Sequence, residues 1–191
     1  MTALASLSNR EVLAKTQSLV RDETRLTNEI ILHLQEIEKR RCYIEAGFDS
    51  LFAYLTKGLG YCESSAYRRM QVARLMRDVP DVKDKIENGD LNLTTAAKVQ
   101  SFIRAEEKRT QAHLQNTQKA ALVKTVQNLS IQKATQELIK ALPEAASRIA
   151  EKSERLKPIA NAKSQVTVTL TNDQVAALER LKQLYSHQLP D

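Results

Sequence analysis

The sequence predicts a mainly α-helical protein. It reads as a multi-helix body containing a helix-turn-helix, with a short strand-helix tail. Three observations carry this. Gly and Pro number only four each in 191 residues, so few positions interrupt a helix. Apolar residues recur at spacings of three, four and seven over long stretches. Alternating β-branched residues are convincing in one short segment only, "SQVTVTL", which begins at Ser164. Aromatics make up 4% and there is no Trp, so the core is expected to be built from Leu, Ile, Val and Ala.

The first helix is announced by "SNRE", where Ser8 stands three residues before Glu11 in a capping-box pattern. Leu19, Leu26, Ile30, Leu34 and Ile37 then line one face. The pattern fits one long helix or two with a soft break near Asp22–Thr24. Gly47 ends this region. "FDSLFAYLTKGLG" follows, with Asp49 or Ser50 as N-cap, and a helix over "YCESSAYRRMQVARLM" is stopped by Pro80. "DVKDKIENGD" reads as a short helix ended by Gly89, and "LNLTTAAKVQSFI" as another, capped at Asn92 or Thr94. A further helix is expected over residues 106–128. Ser130 caps "IQKATQELIKAL", which ends before Pro143.

The expected organisation is a helical body over 1–142, a polar, partly helical linker over 143–164 and a strand-helix tail over 165–191. In the tail, "TNDQ" at Thr171–Gln174 is a second capping box. It precedes an amphipathic helix with Val175, Leu178, Leu181 and Leu184 on one side. A lone strand leaves its backbone groups unpaired, so this one is expected to pair with a second copy or with something outside the chain.

Net charge is +6 and the sequence pI is about 9.3, which favours a polyanionic partner. The stretch from Lys98 to Lys133 holds seven Lys or Arg against two Glu and is the most basic long segment. No apolar run approaches the ~20 residues of a membrane span, and the N-terminus lacks a signal-peptide layout. Cys42 and Cys62 make neither a metal spacing nor a disulfide framework, which reads as a reduced, cytoplasmic setting. His33 has no Cys, Asp or second His at metal spacing, and neither it nor His113 or His187 belongs to a His–Asn–His arrangement, so no metal and no cofactor is expected.

Helices joined by a short Gly-containing turn form a helix-turn-helix, placed here at about 49–77. On a helical wheel Ala66, Met70, Ala73 and Met76 share an inward face. Ser64, Arg68, Gln71 and Arg74 lie on the other side, with Leu75 as an outlier. In such a motif the start of the second helix meets the bases. Ser64, Ser65, Tyr67 and Arg68 are therefore the candidates for base or near-base contact, Arg68 first. Gln71 shares their face. Arg69, Arg74 and Arg77 are candidates for phosphate contact or internal ion pairs.

"GFDSLFAYLTKGLGYCESSAYRRMQVARLMRDVPDVKDKIENGDLNLTTAAKV" resembles the N-terminal helical region of a bacterial family of HNH endonucleases. The resemblance extends upstream through "LTNEIILHLQEIEKRRCYIEAGF" and downstream through "NLSIQKATQELIKALPEAA" and "VTVTLTNDQVAALERLKQLYSH", so it covers nearly the whole chain. "ENGDLNLTTA" is also similar to the part following the helix-turn-helix of ParB-type partition proteins, over a shorter span. The family carries a nuclease module after this region. The residues of its His–Asn–His centre have no counterpart here, so no catalytic residue is carried over.

Three function classes compete at this point. A non-catalytic module that binds double-stranded DNA is favoured by the arginine-rich helix, the charge and the resemblance. An assembly module, forming a homodimer through the long first helix or the strand-helix tail, is the alternative. The tail is also similar to ribbon-helix-helix proteins, in which a strand pairs across a two-fold axis. For an enzyme the residues offer no Gly-rich phosphate loop, no nucleophile-base pair and no small-molecule substrate site.

Overall fold

A computed structural model describes residues 4–151, 155–160 and 163–185. The chain divides into two compact units, Met1–Ala145 and Ala146–Asp191. The protein is mainly α-helical, as its patterning predicts.

The first unit opens, after a single 3-10 turn at Leu4–Ser6, with helix α1 at Asn9–Arg40. Both halves of the Ser8–Glu11 capping box form: Ser8 Oγ accepts from the Glu11 amide, and the Glu11 carboxylate accepts from the Ser8 amide at 2.8 Å. Residues 22–24 are helical, so α1 is one unbroken helix of 32 residues, about 48 Å long at 1.5 Å per residue. Arg41 closes it in the left-handed region at φ 58°.

Helix α2 (Cys42–Glu45) is a single turn. Helix α3 (Leu51–Ala53) is capped by Ser50 and runs into a π-helical turn at Tyr54–Gly58. A methyl group on Gly58 would lie 2.9 Å from the Phe48 ring and 3.0 Å from the Tyr54 ring. These two rings pack edge-to-face at 5.5 Å. Gly58→Ala is therefore expected to cost about 1–3 kcal/mol by overpacking, measurable as a lowered midpoint in thermal or urea denaturation.

Gly60, at φ 74°, turns the chain into helix α4 (Glu63–Asp78), followed by α5 (Val82–Glu87) and α6 (Leu93–Thr110). Helix α4 packs against α1, α3 and α6. Asn92 caps α6, accepting from the Thr95 amide at 2.8 Å. The expected helix over 106–128 is two elements. Helix α6 continues to Thr110, Gln111 turns left-handed at φ 56°, and α7 (Asn116–Val126) starts afresh from a Gln115–Gln118 capping box. Neither signal involves Gly, Pro or an ordinary N-cap residue, so the break was hidden in the sequence. Ser130 caps α8 (Ile131–Ala141) as expected.

The core is aliphatic. Ile31 and Leu34 of α1, Val72 and Leu75 of α4, Val99 and Ile103 of α6 and Val123 of α7 are almost wholly buried. Phe102 is the one buried aromatic among the described residues. Ala145 is fully buried as well. The body thus extends into helix α9 (Pro143–Glu151), inside the segment expected to be linker.

The second unit corrects a further expectation. The strand at Ser164–Leu170 is not alone: β1 (Arg155–Ala160) and β2 (Lys163–Thr167) form an antiparallel hairpin, with Arg155 opposite Thr167 and Leu156 opposite Val166. Its partner strand lies in the segment expected to be a polar, partly helical linker, and it contains Pro158. In a two-stranded hairpin both strands are edges, and an edge tolerates proline. Helix α10 (Asn172–Tyr185) follows, and the Thr171–Gln174 capping box forms in both directions. The described side chains of β2 and α10 are all exposed.

Candidate nucleic-acid interface

Helix α4 places the arginines. Ala66, Gln71, Val72, Ala73, Leu75 and Met76 are buried, so most of its circumference is committed to the core. This corrects the wheel in two places. Gln71, expected on the reading face, is 0% exposed, with neither amide atom hydrogen-bonded, and cannot touch a ligand. Leu75 is a core residue, while Met70 is only half-buried. The reason is that α4 packs between α1 on one side and α6 on the other. A single amphipathic stripe does not describe a helix with partners on two flanks.

The exposed strip that remains is at the N-terminal end. Ser64 is exposed, Ser65 is half-buried, and Tyr67 is 43% exposed with its hydroxyl 3.3 Å from Ser101 Oγ. The four arginines fall into two pairs of different character. Arg74 is locked to Glu38 of α1, with Nη2 to Oε1 at 2.6 Å and Nε to Oε1 at 3.1 Å. Arg77 donates to Asp78 Oδ1 at 3.1 Å. Each of these two has a carboxylate partner, half-buried for Arg74, while Arg77 is 62% exposed and shares Asp78 with Lys119.

Arg68 and Arg69 have no carboxylate within ion-pair distance among the described residues. Arg68 Nη1 donates to Thr94 Oγ1 at 3.2 Å and Nε to the Ser64 carbonyl at 3.3 Å. Arg69 donates to Ser65 Oγ and lies over the Tyr61 ring, 4.3 Å from its centroid. Its Nε is buried and makes no hydrogen bond. All these partners are neutral, so they orient the guanidiniums without cancelling their charge.

Both side chains line a groove of about 500 Å³ between α1, the start of α4 and the α5–α6 connection. Thr24, Thr27, Ser65 and Asn92 supply polar groups, Ile86, Leu91 and Leu93 an apolar floor, and Glu23 one acidic group at the α1 edge. Hydroxyls and amides around two unpaired guanidiniums suit a phosphate diester with its sugar. The Cys62 thiol, at the N-cap of α4, is held below its usual range by the Ser64 hydroxyl and the Ser65 amide, with a smaller pull from Arg68. The start of this helix thus favours negative charge.

The basic stretch from Lys98 to Lys133 is less basic at its surface than in its sequence. Lys119 is buried between Asp78 and Glu107 at 2.7 and 2.9 Å, and Arg109 pairs with Glu106 at 2.5 Å. His33 is exposed and hydrogen-bonds the Glu29 carbonyl oxygen at 2.8 Å, while His113 is almost fully exposed. Position 187 lies outside the described residues. No protein-family model, curated protein or solved structure matches this chain.

Proposed function

We propose that this chain binds double-stranded DNA through the start of α4 and does so without cutting it. The observation that carries the reading is the division among the α4 arginines. Arg74 and Arg77 each pair with a carboxylate, Glu38 and Asp78, whereas Arg68 and Arg69 have none among the described residues and line an open groove at the start of the helix. The turn at Gly60 before α4 supports a helix-turn-helix, in which that end approaches the bases. The net charge of +6 and the resemblance to the helical region of HNH endonucleases support the same reading.

The test is fluorescence anisotropy on a mixed-sequence duplex over a range of salt, with Mg²⁺ present and the DNA run on a gel afterwards. Affinity is expected to fall steeply as salt rises, because bound phosphates release counterions. The DNA is expected to remain intact. Arg68→Ala is expected to weaken binding more than Lys163→Ala, a charge on the hairpin. Equal effects would make α4 part of a diffuse basic surface, and no binding at low salt would end the reading.

A further inference from the structure

We infer that α1 is a dimerisation helix whose occupant is a second copy of itself, packed antiparallel. Before Asn28 no side chain of α1 is buried, so its first four to five turns gain little from the body. A helix of that length is marginal in water unless an apolar face is covered. The face exists: Leu13, Leu19, Val20, Leu26 and Ile30 are 66, 59, 54, 51 and 36% exposed. Its period is that of a coiled coil. Val12, Leu19 and Leu26 are seven apart, as are Leu13 and Val20.

Charge selects the partner and its direction. With Val12, Leu19 and Leu26 in one core column, Thr16, Glu23 and Ile30 occupy the other. An antiparallel pairing centred near Arg21 sets Ile30 opposite Val12 and Leu26 opposite Thr16. The same register brings Lys15 of each copy beside Glu29 of the other, twice by symmetry. Val20 meets its own mate. Asp22 does too, and Arg25 on the same helix, 3.7 Å from Asp22, offsets that contact. Glu23 opposite Leu19 is the one charged core position, and such a position fixes register. Glu29 is held only by Arg25 at 4.0 Å and is available to a partner. A parallel pairing would set Lys15 beside Val20 and leave both charges unanswered.

The test is analytical ultracentrifugation at micromolar concentration, with helicity followed by circular dichroism. The wild type is expected to sediment at twice the 21.5 kDa of one chain. Lys15→Glu or Glu29→Lys alone turns two attractions into two repulsions and is expected to weaken the dimer about tenfold or more. The double variant Lys15→Glu/Glu29→Lys is expected to restore it. A mixture of the two single variants is expected to form a heterodimer, because each supplies what the other lacks. A monomeric wild type, or a dimer indifferent to these swaps, would overturn the inference. The dimer is measured without DNA, because Glu23 also lines the groove beside Arg68 and Arg69.

Discussion

Lys119→Met is expected to lower the stability of the helical body by about 3 kcal/mol, the largest loss among single changes considered for it. Lys119 is 5% exposed, and its ammonium bridges Asp78 at the end of α4 and Glu107 on α6. It joins three helices at one point. Methionine fills the same volume but leaves two carboxylates desolvated, so most of the effect is the cost of orphaned charge rather than the worth of the bond. Arg77 still reaches Asp78 and the Leu114 amide still reaches Glu107, which keeps the loss at the lower end of the range for buried pairs. A drop of about 10 °C in melting temperature is the corresponding readout. Adding Asp78→Asn to Lys119→Met should cost less than the sum of the two.

The same cluster sets a pH dependence. Burial pushes the Asp78 carboxyl up, but hydrogen bonds from Lys119 and Arg77 outweigh it, and the net shift is downward. A carboxylate with a depressed folded value contributes stability above its unfolded value, near 4, that is lost as pH falls. Burial pushes Lys119 down, but its bonds to Asp78 and Glu107 outweigh that and raise it. Its contribution is present below the ordinary lysine value of about 10.4 and is lost as pH rises through the raised value. The wild-type body should therefore show a stability plateau between about pH 5 and 10, and Lys119→Met should lower that plateau.

The second large effect separates binding from folding. The pair Arg68→Ala/Arg69→Ala is expected to reduce DNA affinity roughly 10- to 100-fold and to lower the salt slope by about 2, with a stability loss of about 1 kcal/mol from the lost Thr94 and Tyr61 contacts. Arg74→Ala is expected to do the reverse. It leaves Glu38 without its partner in a half-buried place and should cost about 2 kcal/mol of stability with little effect on affinity. Anisotropy and thermal melts on the same samples check both. If Arg74→Ala lost affinity as severely as the pair, the division between answered and unanswered arginines would not describe the site.

The legible parts of this fold were those written in local rules. The Ser8–Glu11, Asn92, Ser130 and Thr171–Gln174 caps form where the residues announce them, because capping depends on neighbours three positions away. The break at Gln111 was not legible, since a left-handed glutamine is favoured by its surroundings rather than by its own backbone preference. Strand β1 was not legible because Leu156 and Ile159 are three residues apart and do not alternate, Pro158 interrupts the segment, and its pairing is decided by β2. For the candidate site, the sequence placed Arg68 at the start of α4 correctly. It could not show that α4 has neighbours on both flanks, which buries Gln71 and diverts Arg74 to Glu38.

That double burial of α4 has a consequence for how such a chain could change what it binds. Along three turns, core-facing and outward-facing positions alternate with almost no slack. Ala66, Val72, Ala73 and Leu75 are fully enclosed, and a new side chain there must displace a neighbouring helix. Ser64, Tyr67 and Arg68 stand outside that constraint. Variation in ligand preference is thereby channelled into a handful of surface positions at one end of the helix. A new specificity can arise there by few substitutions, each nearly neutral for folding, while the rest of the helix is free to vary only in concert with its packing partners.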